Sequence, residues 1–306
     1  GRLVYGALGS DTGGSIRLPA AACGVVGIKA THGRVSRYGA MGISFSLDCV
    51  GPLARTAQDC ARLFTVIAGH DPKDPTSSRR PTPDYEKATV SPAVKGLKIG
   101  VPRNYYYDHA TPEVKALMDQ SLAVYRDLGA EIVAVTLPEH ERLSDLAGVL
   151  STAEGATLHA AWLRERPADY GAQVRARIQV GLAYPAIRYL EAAQVRADLM
   201  RRFVETTFSA CDVLHAPVFS LPIPTIAETD VQDSQGFQRL LASLTHATRT
   251  INYLGLPSIS VPAGFTGSGL PTAFQLVGRP FAEARLFRAA AAYENATHWP
   301  ARMPPE

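Results

Sequence analysis

A strand, a helix and a second strand follow one another between Leu97 and Val135, and this run constrains the architecture more than any other feature of the chain. Leu97 to Val101 is a short apolar run, and a helix starts after it at Thr111 and Pro112, where a proline suits a first turn. Val114, Leu117, Met118, Leu122, Tyr125 and Leu128 keep one apolar face until Gly129 ends the helix and Glu131 to Val135 begins the next strand. Two strands joined by a helix pair in parallel, which predicts an α/β layer.

The rest of the chain continues the alternation. Val4 to Gly9 and Val25 to Lys29 read as short strands, and Gly33, Gly39, Gly42 and Gly51-Pro52 mark turns between brief elements. Thr56 and Asp59 resemble a capping box at the head of a helix that Gly69 closes. The prolines between residues 70 and 95 predict a surface connection, and residues 138 to 210 are mostly helical, with breaks at Pro167 and Pro185. Val213 to Val218 is a strand, Phe237 to Leu254 is helical, Ile259 to Val261 and Ala273 to Val277 are central strands, and Ala282 to Tyr293 is a closing helix.

Composition removes several function classes. With 46% hydrophobic and 19% charged residues the chain has enough apolar material to offset the entropy of ordering, which excludes a disordered tail. The 31 basic and 28 acidic residues leave a charge of +3, and the basic ones are scattered, with doublets only at Arg79-Arg80 and Arg201-Arg202. No basic stripe marks a grip on DNA, and any grip on RNA is weak at most. Cys23, Cys49, Cys60 and Cys211 lie far apart and read as free thiols of a reducing compartment, predicting a cytoplasmic protein. No histidine or cysteine spacing predicts a metal site, and no apolar stretch is long enough to predict a membrane span.

Chemistry concentrates in Gly9-Ser-Asp-Thr-Gly-Gly-Ser-Ile-Arg-Leu-Pro19. Two consecutive glycines before a serine let the backbone turn sharply, so that successive N–H groups converge on one negatively charged oxygen. A serine at the end of such a nest can attack a carbonyl whose oxygen the nest then holds. Gly-Gly-Ser alone is more often a plain turn, and a phosphate cradle would need a Gly-Lys-Ser/Thr ending that is missing here.

Longer blocks decide between these readings. Ala7 to Ala20, Cys23-Gly-Val-Val-Gly-Ile-Lys29, Gly33-Arg-Val-Ser36 and Ser46-Leu-Asp-Cys-Val-Gly-Pro-Leu-Ala-Arg55 resemble the amidase signature family. Gly255-Leu-Pro-Ser-Ile-Ser-Val-Pro262, Leu270-Pro and Phe274-Gln-Leu-Val-Gly-Arg-Pro280 resemble its later blocks, in the same order. The resemblance implies one amidase domain over residues 1–306, an α/β fold with a mixed, largely parallel sheet sandwiched by helices, no cofactor, and the option of a homodimer. It also implies a small-molecule amide substrate, cleaved to acid and ammonia or amine by a Ser, cis-Ser, Lys triad with Ser15 as nucleophile. The N–H groups of Thr12, Gly13, Gly14 and Ser15 would form the oxyanion hole, and Asp11 and Arg17 would brace the loop.

In that family the cis-serine and the lysine lie upstream of the nucleophile, yet only 14 residues precede Ser15 and the one basic residue among them, Arg2, stays protonated. Lys29 belongs to another block and reads as structural or solvated. Together with the opening at Gly1-Arg2-Leu3, this predicts that the chain is the C-terminal two-thirds of the domain, with the triad's other members upstream, and that it is catalytically incomplete by itself. An enzyme with a lysine base should gain activity toward alkaline pH, since the base must be neutral.

Substrate features are sparser. Tyr38, Gly39, Ser44 and Gly69-His-Asp-Pro-Lys-Asp74 look like the glutaminase component of tRNA-dependent amidotransferases, which releases ammonia from glutamine for partner subunits. Thr245 stands where those components usually carry an aspartate for the glutamine amino group, which favours a stand-alone amidase. Arg175 and Arg177 fall where some relatives place a carboxylate-binding arginine, with Arg177 the candidate, although a solvated helix face explains them equally well. An inactive amidase fold serving as a binding protein is the alternative from another class.

Overall fold

The computed structural model describes residues 3–231 and 234–302. In chain order the strands are β1 (Gly6–Asp11), β2 (Val26–Lys29), β3 (Cys49–Ala54), β4 (Lys98–Pro102), β5 (Glu131–Val135), β6 (Val213–Pro217), β7 (Ser258–Phe265) and β8 (Pro271–Gly278). The helices are α1 (Arg17–Ala22), α2 (Ala57–Ile67), α3 (Pro112–Asp127), α4 (His140–Glu165), α5 (Ala172–Gln179), α6 (Ala186–Gln194), α7 (Arg196–Ala210), α8 (Ile226–Thr229), α9 (Ser234–Leu244), α10 (Arg249–Tyr253) and α11 (Glu283–Thr297). No helix of the described residues is long and apolar enough to cross a membrane.

All eight strands form one sheet in the order β1-β3-β2-β7-β8-β6-β4-β5. The strand–helix–strand run appears as β4, α3 and β5, and β4 pairs in parallel with both β5 and β6. Every other pairing is antiparallel. The sheet is therefore mixed but largely antiparallel, a correction to the expectation of a largely parallel one. A tight turn joins β7 to β8, and such a connection can only return the chain antiparallel.

Side chains alternate across the sheet and build a core on each face. Val213 and Leu276 join a cluster with Phe64 of α2, Met118 and Leu122 of α3 and Phe287 of α11. Their chain neighbours Leu214 and Val277 point the other way, into a cluster with Leu146 and Leu150 of α4, Phe203 of α7 and Ile251 of α10. Burying both faces in this way is what a helix-sandwiched sheet requires.

Three local expectations change. Gly51-Pro52 lies inside β3 rather than in a turn, and a Cβ on Gly51 would stand 2.1 Å from the Ile28 carbonyl oxygen, so this glycine serves close strand packing. The proline-rich connection buries Tyr85, which meets Phe64 edge-on at 4.7 Å between ring centroids. Lastly, the helix read over Phe237 to Leu254 breaks after Leu244, and residues 245–248 form a turn that becomes part of the site. The Thr56 cap stands as read, with its hydroxyl oxygen accepting from the Asp59 N–H at 2.9 Å.

Glu294 in α11 links two helices: one carboxylate oxygen accepts the Ala57 N–H at 2.8 Å, and the other meets no donor among the described residues. Burial pushes its carboxyl up to about 8 from an ordinary 4.5. Between these values the unfolded chain ionises while the folded chain keeps its proton, so stability falls as pH rises through this window. Glu294→Gln, which cannot ionise, should flatten that loss. Urea midpoints from about pH 5 to about pH 8.5 should fall more steeply for the parent than for the variant, and equal slopes would contradict the assignment.

Candidate active site

The end of β1 delivers Asp11 into a fully buried position, and its carboxylate organises the glycine loop that follows. It accepts the Gly14 N–H at 2.8 Å, the Ile16 N–H at 3.2 Å and the Arg17 N–H at 3.3 Å, which curls the chain into α1. Arg17, also fully buried, donates back from Nε at 3.1 Å and from Nη2 at 3.0 Å. Burial alone would raise the Asp11 carboxyl. The Arg17 charge and hydrogen bonds, with lesser help from Lys29 and Asn252, outweigh it and hold the group down at about 2.

The pair is tied to the far end of the chain. Arg17 donates to Gln275 Oε1 at 2.9 Å, Asn252 Oδ1 at 2.6 Å and the Thr248 carbonyl at 3.1 Å. Asn252 in turn donates to Asp11 Oδ1 at 2.8 Å and to its carbonyl oxygen at 2.9 Å. Ser258 donates to Gln275 Oε1 at 2.9 Å, so β1, α1, α10, β7 and β8 meet at one polar knot. Sequence reasoning passed over Thr248, Asn252 and Gln275. The available signal was a glutamine inside the apolar run of a central strand, a polar group that burial obliges to find partners.

Above this knot sits the loop itself. Ser15 is exposed, and its hydroxyl has no hydrogen-bond partner among the described residues. The N–H groups of Thr12, Gly13 and Ser15 also meet no acceptor among the described residues. Gly14 departs from expectation, because its N–H donates to Asp11 and is not open to a ligand. Gly14 has a φ of 135°, and a Cβ there would stand 2.4 Å from Thr248 Oγ1, so glycine is required on both counts. Thr248 Oγ1 donates to the Gly13 carbonyl, and Thr12 Oγ1 donates to Asp48, whose other oxygen accepts the Ile43 and Ser44 N–H groups at 2.9 Å each. A cavity of about 290 Å³ opens beside this contact, lined in part by Ser10, Met41, Phe45 and Leu158.

The remaining candidates are spread around the loop. Arg177 is half-buried in α5; burial lowers its pKa, and the Asp48 carboxylate opposes that shift. Arg175 donates to the Pro167 carbonyl at 3.4 Å. Thr245 turns its hydroxyl back to the Leu241 carbonyl at 2.7 Å. Lys29 is fully buried rather than solvated, with Nζ donating to the Ala30 carbonyl at 2.9 Å and lying 3.5 Å from Cys49 Sγ. Burial lowers its pKa, but those contacts hold it in place and it makes no hydrogen bond to Ser15.

A polar knot thus lies beneath a glycine loop with an outward serine, on a mixed sheet sandwiched by helices. The family model described as Amidase matches residues 1–287, and the chain belongs to that family. It is 39% identical over 322 residues to the A subunit of glutamyl-tRNA(Gln) amidotransferase from Geobacter metallireducens, covering 97% of this chain and 65% of that protein. It is 40% identical over 305 residues to an amidase of Pseudomonas putida, covering 98% and 64%. Among solved structures, the same amidotransferase component from Thermotoga maritima superposes with a TM-score of 0.78 at 33% identity, over 95% of this chain and 62% of that one. The chain thus spans about 65% of the length of the curated relatives it matches.

The buried pair makes a firm prediction. Arg17→Met strands the Asp11 carboxylate in the interior and should cost about 3–5 kcal/mol in urea unfolding. Adding Asp11→Asn should recover part of that loss. A single-variant cost below about 1 kcal/mol would show that the pair does not hold the loop.

Proposed function

We propose that Ser15 is the nucleophile of an amide hydrolase. Its Oγ attacks the amide carbonyl carbon, the carbonyl oxygen takes the open N–H groups of Thr12, Gly13 and Ser15, and the C–N bond breaks. Ammonia or an amine leaves with the proton the serine gave up, and water then cleaves the acyl-serine ester to the acid. The observation that carries this reading is the exposed serine beside three unused N–H groups, on a loop that the Asp11–Arg17 pair fixes from beneath.

Attack needs a proton acceptor. None hydrogen-bonds to Ser15 among the described residues, and the family resemblance assigns that role to a cis-serine and a lysine. The 306-residue chain by itself should therefore hydrolyse amides negligibly. The proposed substrate is a small carboxylic acid amide. The second reading is the glutaminase component of a tRNA-dependent amidotransferase that works with partner subunits. It is favoured by the name of the Geobacter relative and disfavoured by neutral Thr245.

In an active form of the enzyme, Ser15→Ala should abolish turnover, a loss of at least about 10⁴-fold, while leaving the urea midpoint unchanged. Turnover in the parent should rise toward alkaline pH as the base loses its proton. A Ser15→Ala variant that keeps measurable hydrolysis, or an acid optimum in the parent, would contradict the mechanism.

A further inference from the structure

The break between α9 and α10 leaves a cation beside the glycine loop that the mechanism does not use. Arg249 is the first residue of α10, and its Cβ lies 3.7 Å from where a Cβ on Gly13 would stand. The preceding residue, Thr248, already grips the Gly13 carbonyl, so the root of the Arg249 side chain is fixed relative to the loop. Nε donates to Ser144 Oγ of α4 at 2.6 Å, which sets the plane of the guanidinium. Among the described residues no carboxylate lies within ion-pair distance of that guanidinium.

The groups around it do not answer the charge. Thr245, one turn earlier, is neutral and spends its hydroxyl on the Leu241 carbonyl at the end of α9. The Tyr105 hydroxyl is close enough for Arg249 and Ser144 to ease the rise that burial imposes on it, but it stays protonated and donates to the His246 carbonyl at 3.0 Å. His246 is kept neutral chiefly by burial, with the Arg249 charge adding to the effect. Of the two acids in this neighbourhood, Asp108 accepts the Tyr105 N–H at 2.7 Å and Asp145 acts on Tyr105, and neither pairs with Arg249. Arg177 differs in feeling the field of Asp48. A half-buried guanidinium with neutral partners, its Nε held by Ser144, leaves two parallel N–H donors for an incoming carboxylate.

We propose that Arg249 binds a carboxylate on the acyl half of the substrate, which makes the substrate class the monoamides of short dicarboxylic acids. This rests on the reading of Ser15 as nucleophile, because the carbonyl held at the Gly13 N–H and the anion held at Arg249 must belong to one molecule. An anion-binding wall without an ion-paired carboxylate also selects against a zwitterionic amino acid, whose ammonium group would lie next to Arg249.

Calorimetric titration with glutarate, a product-like dianion, tests this without requiring turnover. The folded chain should bind glutarate, Arg249→Ala should weaken binding by about tenfold or more, and Arg249→Lys should recover part of it. Binding of pentanamide, its neutral counterpart, should be the same in all three. If Arg249→Ala fails to fold by circular dichroism, Arg249→Gln, which keeps a donor for Ser144, replaces it. Glutarate binding that is absent from the parent, unchanged in Arg249→Ala, or lost only in Arg177→Ala would overturn the proposal. The Ser15→Ala turnover measurement judges the nucleophile separately, so an anion site can stand where the hydrolase reading falls.

Discussion

An aspartate and an arginine six residues apart, both without access to water, hold the functional end of this protein together. Removing two charges from solvent is costly, and the cost is met only because each remaining donor and acceptor finds a partner. Asp11 uses its two oxygens on three backbone N–H groups and two side chains, and Arg17 passes its remaining donors to Thr248, Asn252 and Gln275. The loop conformation follows from that satisfaction. With the Gly14 N–H drawn inward to Asp11, the chain has to present Ser15 outward.

The sheet order explains why these partners meet. β1 lies at one edge and reaches the central strands through β3 and β2, so residues near the start of the chain come to lie against β7, β8 and the turn before α10. Gln275, 258 residues along the chain from Arg17, is therefore a direct neighbour. The positive φ at Gly14 is open to glycine, and Thr248 on one side and Leu18 on the other leave no volume for a side chain there. Rigid support beneath and open N–H groups above is the division of labour that electrostatic catalysis requires.

Local features of the fold were legible from the residues alone. The Thr56 cap, the proline and Gly129 bounding α3, and the β4-α3-β5 unit all rest on short-range chemistry, and they appear within a residue or two of where the sequence puts them. Pairing direction was not legible, because the alternation of strands and helices says nothing about which strands become neighbours. β3 was hidden since glycine and proline usually punctuate turns, and only the approach of the Ile28 carbonyl explains Gly51. The glycine loop was visible, but its polar supports were not: Thr248, Asn252 and Gln275 look like ordinary polar residues until the fold buries them against Arg17. That burial also decides that the Gly14 N–H is spent on Asp11, which no reading of Gly-Gly-Ser could foresee.

The central claim is that this loop presents one activated serine. The most direct measurement is a mass spectrum with peptide mapping after exposure of an amide-hydrolysing form of the protein to a fluorophosphonate, which labels activated serines. A single adduct on Ser15, absent from the 306-residue chain treated by itself, is the predicted result. Labelling at another serine, or hydrolysis that continues with Ser15 unlabelled, would contradict it.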